Sequence, residues 1–386
     1  MKVGVARETA TGERRVALVP ESVKRLLDAN VSVLVEKRAG LAASYPDQAY
    51  VEAGARVVTT AALYSGSDVI IRIHPPSPRE TRLLHEGQVV MGLLAPLLNP
   101  QAMENLARHN VTAISLDAIP RTLTRSQGMD ALSSQANVAG YKAVLIAACA
   151  FGRFFPLLTT PAGTAKPANV LVLGVGVAGL QAIATARRLG AQVKAYDVRK
   201  DTREQAESLG AQFVTLTTAI EASGQGGYAR PLTPEEQAAQ QAELNEVIVI
   251  QDVVITTAQV PGRRPPVLVT RAAVERMRAG SVIVDIAAGE LGGNCELSKP
   301  GKVVTSANGV EIHAPVDLAA AMPTGASIFY SRNISNLLLG FVKDGELNFD
   351  FNDEVTAATV ITYRGRVVQP ATLKLLQPAS KGGAPA

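Results

Sequence analysis

The sequence predicts an α/β protein of two doubly wound parallel-sheet domains, and three observations carry that expectation. The chain has 386 residues, more than one hydrophobic core usually organises. Short strand-like runs alternate with helical stretches, once up to Leu116 and again after Pro167, which is the pattern of parallel strands joined by crossover helices. Several runs are apolar without interruption, Asn169-Val170-Leu171-Val172-Leu173 above all, as a strand covered on both faces requires.

Taken in order, Lys2–Ala6 reads as the first strand. A helix near Glu21–Leu27 follows, then strands at Val31–Glu36, Asp68–Ile73, Gln88–Leu94 and Thr112–Leu116. A turn-rich stretch from Pro120 to Asp130 leads into a long helix expected from Leu132 to about Phe155. Beyond Pro161-Ala162-Gly163 and Pro167 come strands at Asn169–Leu173, Gln192–Tyr196, Gln212–Thr215, Val253–Thr256, Ser281–Ile286 and Val303–Thr305. That spacing is the one a Rossmann fold uses. From about Ser327 the chain reads as helical again (Asn333 to Val342) and is expected to return to the first domain. The expected boundaries are therefore 1–135 plus 327–376 for a discontinuous first domain and 136–326 for the second, linking helix included. Residues 377–386, rich in Pro, Gly and Ala, read as a frayed tail.

Composition excludes several classes of function. The formal charge is only +4 and the basic residues are scattered, so no nucleic-acid groove is expected. Cys149 and Cys295 are far apart and no His pair has ligand spacing, which offers neither a disulfide framework nor a metal site. The longest apolar run, Ala143–Phe151, is too short to span a bilayer, and the first residues read as a strand rather than a targeting segment. A soluble, cytoplasmic chain is expected.

The strand Asn169–Leu173 runs straight into Gly174-Val175-Gly176-Val177-Ala178-Gly179, and a helix-forming stretch comes next. In this motif the first glycine permits the tight turn, the second lets backbone approach a pyrophosphate, and the third lets helix and strand pack closely. Amides at the helix start then face the phosphates. The next strand ends on Asp197-Val198-Arg199, with Asp197 placed 18 residues beyond Gly179. That is close to the offset of the acidic residue that binds the adenosine ribose hydroxyls. A carboxylate there repels a 2′-phosphate, so NAD(H) is favoured over NADP(H), and Arg199 reads as a cap on adenine or ribose. The alternative is a glycine turn in a Rossmann domain that binds nothing.

Beyond the fingerprint, stretches along most of the chain resemble the NAD(H)-binding subunit of proton-translocating nicotinamide nucleotide transhydrogenase, its domain I. They include Gly12-Glu13-Arg14-Arg15-Val16-Ala17-Leu18, the run from Ser126 to Gln135, and Ala139-Gly140-Tyr141. Gly226-Gly227-Tyr228-Ala229, Thr256-Thr257-Ala258 and Gly292-Gly293-Asn294-Cys295 belong to the same resemblance. It implies that a loop of the first domain places an Arg, a Gln and an Asp around the nicotinamide. Gln127 and Asp130 match, with Arg121 the first choice for the Arg and Arg125 the alternative. Ser133 is implied as a carboxamide contact, Tyr228 as part of a lid that closes on nucleotide, and Thr257 and Ala258 as nicotinamide-side contacts. Gln259 stands where the family usually has Leu. The alternatives are that Asp130 is only a helix N-cap and the Tyr228 segment only a surface loop.

The resemblance also implies NADP(H) on a partner subunit, a membrane-spanning subunit, a homodimer, and attachment to the cytoplasmic face of the inner membrane through those partners. Two rival functions remain. Alanine dehydrogenase shares the fold and handles an amino acid with an Arg, a Lys and a His. Here those positions hold Arg15, His74 and Ala95, which leaves no evident agent for proton transfer at an amine. The other rival is a non-catalytic NAD sensor.

Overall fold

The computed structural model describes residues 1–199, 201–218, 233–259 and 264–377. The chain divides into two compact units, Met1–Gln135 with Ala320–Ala386, and Ala136–Ala319. It thus re-enters the first unit ahead of Ser327, because the helix Pro323–Phe341 begins earlier than its most apolar stretch.

In the first unit the strands, numbered along the whole chain, are β1 (Lys2–Val5), β2 (Ser32–Glu36), β3 (Arg56–Val58), β4 (Val69–Ile71), β5 (Val89–Gly92) and β6 (Thr112–Ser115). All six are parallel and run in the spatial order β3-β2-β1-β4-β5-β6. Alternate side chains pass to opposite faces. Val3, Val5, Val33, Ile71 and Met91 join one core with Tyr330, Ile334 and Leu337 of the helix Pro323–Phe341. Ile70, Val90 and Ala113 join the other with Leu63, Met103 and Leu106. Two serines of that returning helix are buried acceptors: Val16 N–H donates to Ser327 Oγ (3.0 Å) and Val19 N–H to Ser331 Oγ (3.1 Å).

The second unit holds the exposed hairpin β7 (Leu158–Thr160) and β8 (Gly163–Ala165), then β9 (Asn169–Leu173), β10 (Gln192–Tyr196), β11 (Gln212–Phe213), β12 (Val253–Thr256), β13 (Val282–Asp285), β14 (Val303–Thr305) and β15 (Glu311–His313). Its main sheet is ordered β11-β10-β9-β12-β13-β15-β14. The long helix Ala131–Ala150 covers one face through Ala143, Val144 and Ala147, packed on Val170, Val172 and Ile255. It stops short of the expected Phe155 because Gly152 and Pro156 interrupt it, although Phe151 and Phe155 still fill that core edge to face. The helix Pro234–Val249 starts with a capping box: Thr233 accepts from Glu236 N–H while the Glu236 side chain accepts from Thr233 N–H.

Both domains are built on the parallel sheets that the sequence predicts, and each sheet also carries antiparallel pairings that the sequence did not reveal. The chain's last stretch adds the hairpin β16 (Val342–Lys343) and β17 (Glu346–Leu347), then β18 (Val360–Tyr363) and β19 (Arg366–Val367). β18 pairs antiparallel with β6 at the sheet edge, and β14 pairs antiparallel with β15. β14 and β15 are joined by a short connection, as antiparallel neighbours can be, whereas β18 reaches β6 only after the chain has returned from the second unit. Counting parallel strands only, both sheets share one order, 3-2-1-4-5-6, which reverses beside the first strand and opens a crevice at the strands' carboxyl ends. Among the described residues no helix is long and apolar enough to cross a membrane.

Candidate functional site

The crevice of the second sheet lies between the ends of β9 and β12, and the glycine turn occupies it. Gly174 has φ +97°, a left-handed backbone that a side chain disfavours, and a Cβ there would lie 2.7 Å from Thr257 Oγ1. Gly176 is bordered by open space, so a phosphate can come against its backbone. A Cβ on Gly179 would fall on the carbonyl oxygen of Gly174. The helix Val177–Arg188 begins here with Gly176 as N-cap. Its first-turn amides, those of Val177, Ala178 and Gly179, have no intrahelical acceptor and are available to an anion. The donor set, the open face at Gly176 and the positive helix end fit a dinucleotide pyrophosphate.

Asp197, at the end of β10, is tied to this turn. Its Oδ2 accepts from Val175 N–H (2.7 Å) and from Arg199 Nη2 (3.0 Å); its Oδ1 accepts from Arg199 N–H (2.9 Å) and Nε (3.0 Å). Burial alone would raise its pKa, but the Arg199 side chain and the amides of Val175 and Arg199 outweigh it, so the carboxyl titrates below its ordinary range. Val198 beside it is exposed.

Across the crevice, Thr257 Oγ1 donates to the Gly174 carbonyl (3.0 Å), joining the end of β12 to the end of β9. The loop after β12 is held by Asp285, which sequence reasoning did not single out, and by Asn294, which it named only as part of a resembling stretch. Buried Asn294 accepts from Ala258 N–H (3.0 Å) and donates to the carbonyls of Ala258 (2.9 Å) and Pro266 (2.8 Å). Buried Asp285, the last residue of β13, collects Thr256 Oγ1 (2.8 Å), Ala287 N–H (3.1 Å), Cys295 N–H (2.9 Å) and Ser298 Oγ (2.7 Å). Both carboxyl oxygens are thereby satisfied, as burial of a polar group requires. Gln259 is exposed and donates to the Ile286 carbonyl (3.1 Å). Burial pushes the Cys295 thiol up to about 11, which fits packing rather than nucleophilic chemistry.

In the first unit, Arg121, Asp130 and Ser133 come together. Asp130 precedes the helix Ala131–Ala150; its Oδ1 accepts from Ser133 N–H (2.9 Å) and its Oδ2 from Ser133 Oγ (2.5 Å). Asp130 is therefore a true N-cap. It is also the ion-pair partner of Arg121, whose Nε lies 3.5 Å from Oδ2. Arg125, the alternative, pairs instead with Asp353. Gln127 is exposed, and its side chain makes no hydrogen bond to the described residues. Tyr228, with its flanking glycines, lies outside the described residues, as does the tail beyond Gln377.

The matching crevice of the first sheet is filled by charges. Glu8 lies just past β1 and Arg72 just past β4; Arg72 Nη2 lies 3.7 Å from Glu8 and 3.3 Å from Glu80, all three side chains being buried or nearly so. Burial opposes the charge on Arg72, but Glu8 and Glu80 outweigh it and hold the guanidinium protonated. Burial also raises Glu8 above its ordinary range. Nearby, Arg15 donates from Nε (2.9 Å) and Nη2 (2.6 Å) to Glu13 and from Nη1 to Gln135 (2.8 Å). His74 Nε2 lies 2.7 Å from Glu13, and that hydrogen bond raises the imidazole pKa. So Arg15 is engaged by the protein's own groups, and Ala95 takes part through its backbone: its N–H donates to Asp117 (2.9 Å) and its carbonyl accepts from the amides of Leu98 and Asn99 (both 3.0 Å).

Comparison with known proteins gives this geometry a lineage. Residues 4–139 match the family described as "Alanine dehydrogenase/PNT, N-terminal domain", and residues 143–370 match "Alanine dehydrogenase/PNT, C-terminal domain". The chain is 43% identical over 381 residues to an NAD(P) transhydrogenase subunit alpha chain of Rhodospirillum rubrum, covering 96% of this chain and 98% of that one. Identity to "NAD(P) transhydrogenase subunit alpha" of Haemophilus influenzae is 41% over 383 residues, 97% of this chain and 73% of the relative. Among solved structures, a transhydrogenase from Sinorhizobium meliloti superposes with TM-score 0.84 at 41% identity, over 96% of this chain and all of that chain (100%). An L-alanine dehydrogenase superposes with TM-score 0.80 at 26% identity, over 97% and 99% of the two chains. The chain belongs to the alanine dehydrogenase/PNT family and, within it, to the NAD(P) transhydrogenase alpha subunits.

Proposed function

We propose that this chain binds NAD(H) and presents its nicotinamide for direct hydride transfer to NADP+ held by a partner subunit of a proton-translocating transhydrogenase. The observation that carries this reading is the Gly174–Gly179 turn with Asp197 hydrogen-bonded to Val175 beside it. The nicotinamide supplies the hydride chemistry itself; the protein's role is to bind, orient and exclude water. The turn and helix start take the pyrophosphate, and Asp197, Val198 and Arg199 serve the adenosine end. Thr257, Ala258 and Gln259 lie on the nicotinamide side. By the family resemblance, Gln127, Arg121, Asp130, Ser133 and Tyr228 also serve the nicotinamide end. Hydride transfer between two nicotinamides needs no general acid or base. The engagement of Arg15 by Glu13 and Gln135 speaks for that step over amino-acid deamination.

The reading extends to an NADP(H)-binding subunit, a membrane-spanning subunit and a second copy of this chain as partners, with the protein peripheral on the cytoplasmic face of the inner membrane. Reconstitution tests it. The chain mixed with a separately made NADP(H)-binding subunit should transfer hydride from NADH to an NADP+ analogue, while the chain alone with NAD+ and L-alanine should form no NADH. Gln127→Asn should slow transfer roughly tenfold or more and leave NADH affinity within about threefold. Alanine-dependent NADH formation by the isolated chain would overturn the assignment.

A further inference from the structure

The adenosine end of the site contains a competition that the dinucleotide fingerprint does not reveal. A carboxylate has about four lone-pair positions, and all four on Asp197 are taken: two by the backbone amides of Val175 and Arg199, two by the Arg199 fork. The Asp197 side chain is 7% exposed, and Arg199, at 58%, covers it from the solvent side. A ribose diol brings two hydroxyl donors and needs two acceptor positions. The backbone amides are fixed by the turn, so the only bonds that can give way are those of the Arg199 side chain.

We propose that Arg199 is a specificity-determining latch: it holds Asp197 closed without nucleotide, must swing off for the ribose hydroxyls to bind, and thereby weakens NAD(H) binding while tempering the bias against a 2′-phosphate. The latch rests on the NAD(H) reading of the site. The exchange is feasible because the fork is solvent-exposed, so water replaces the carboxylate at small cost. Once displaced, the guanidinium remains beside the ribose, where its planar donors suit a phosphate. The carboxylate of Asp197 repels the 2′-phosphate and Arg199 attracts it, and the net selectivity is the difference between them. Arg199 therefore acts opposite to the capping role that the sequence suggested.

Titration of the full-length chain with NADH and with NADPH, comparing wild type, Arg199→Met and Asp197→Asn, tests the latch. Arg199→Met keeps the aliphatic stem but removes the fork. It should tighten NADH roughly two- to fivefold and weaken NADPH, widening the ratio between the two; Arg199→Lys, a second variant at the same exposed site, should fall between. Unchanged or weaker NADH binding by Arg199→Met would overturn the latch, and weaker binding would identify Arg199 as a direct ligand contact. Asp197→Asn separates the two levels. If it costs NADH roughly tenfold while Arg199→Met does not tighten binding, only the latch fails. If Asp197→Asn leaves NADH affinity unchanged, the ribose assignment falls and the latch with it.

Discussion

The two sheets share one strand order and use the crevice at its reversal in opposite ways. In the second unit the strands end in glycine and small polar residues, and the backbone at Gly176 borders open space. In the first unit the equivalent strands end in Glu8 and Arg72, which meet across the reversal and are joined there by Glu80. A parallel sheet gathers its strand ends at this point whatever the sequence. Whether a ligand can use it is decided by the residues just past each strand: one without a side chain leaves room, whereas paired charges fill it.

Adding a side chain to the open crevice should have the largest effect. Gly179→Val places a Cβ on the Gly174 carbonyl oxygen. Overpacking of that kind costs about 1–3 kcal/mol, and displacing the turn should reduce NADH affinity by roughly a hundredfold. Titration and thermal unfolding measure both, and a variant with wild-type affinity would show that the turn does not cradle nucleotide.

Unsealing the closed crevice should come next. Arg72→Met leaves Glu8 and Glu80 without their cation in a buried setting, a loss worth about 3–5 kcal/mol. Urea denaturation should register it while NADH affinity stays within about twofold. A collapse of NADH binding with stability intact would mean that the first crevice serves the ligand and would erase the contrast between the sheets.

The smallest effect expected is on pH dependence. The folded pKa of His74 lies above its ordinary 6.5 because of Glu13, so its contribution is complete below that value and is lost as pH rises through the raised pKa. The folded pKa of Glu13 lies below its ordinary 4.5: burial raises it, but hydrogen bonds from His74 and Arg15 outweigh that. Its contribution is complete above 4.5 and is lost as pH falls through the lowered pKa. The pair therefore stabilises most between pH 4.5 and 6.5. The His74 side chain is 36% exposed, and solvent screening keeps its share below about 1 kcal/mol. Melting temperature against pH should fall less steeply above neutrality in His74→Gln than in wild type, and identical profiles would refute the coupling.

How much of this was legible depends on where each signal resides. Strands buried on both faces, such as β9 and β12, announce themselves through continuous apolar runs. β3 (Arg56–Val58) and β15 (Glu311–His313) did not, being short and partly exposed or polar. β18 was missed because its pairing with β6 joins residues far apart in sequence. The glycine turn and Asp197 were readable because their task fixes residue type and spacing. The Asp285 and Asn294 clamps were not, since their partners come from separate loops and any buried Asp or Asn looks alike in a sequence. At the Pro120–Asp130 loop the sequence left Arg121 and Arg125 open; the fold pairs one with Asp130 and the other with Asp353.

The first unit is assembled from two stretches of chain, Met1–Gln135 and Ala320–Ala386, with the second unit spelled out between them. On the ribosome this fixes an order of events. Val16 and Val19 must wait for Ser327 and Ser331 to accept their amides, and β6 waits for β18. At ~5–20 residues per second these waits last roughly 12–60 s. Throughout it the nascent first sheet carries an apolar face without its covering helix and a bare edge beside β6, while every strand of the second unit's main sheet comes from one uninterrupted stretch. The half of the molecule made first is the half completed last.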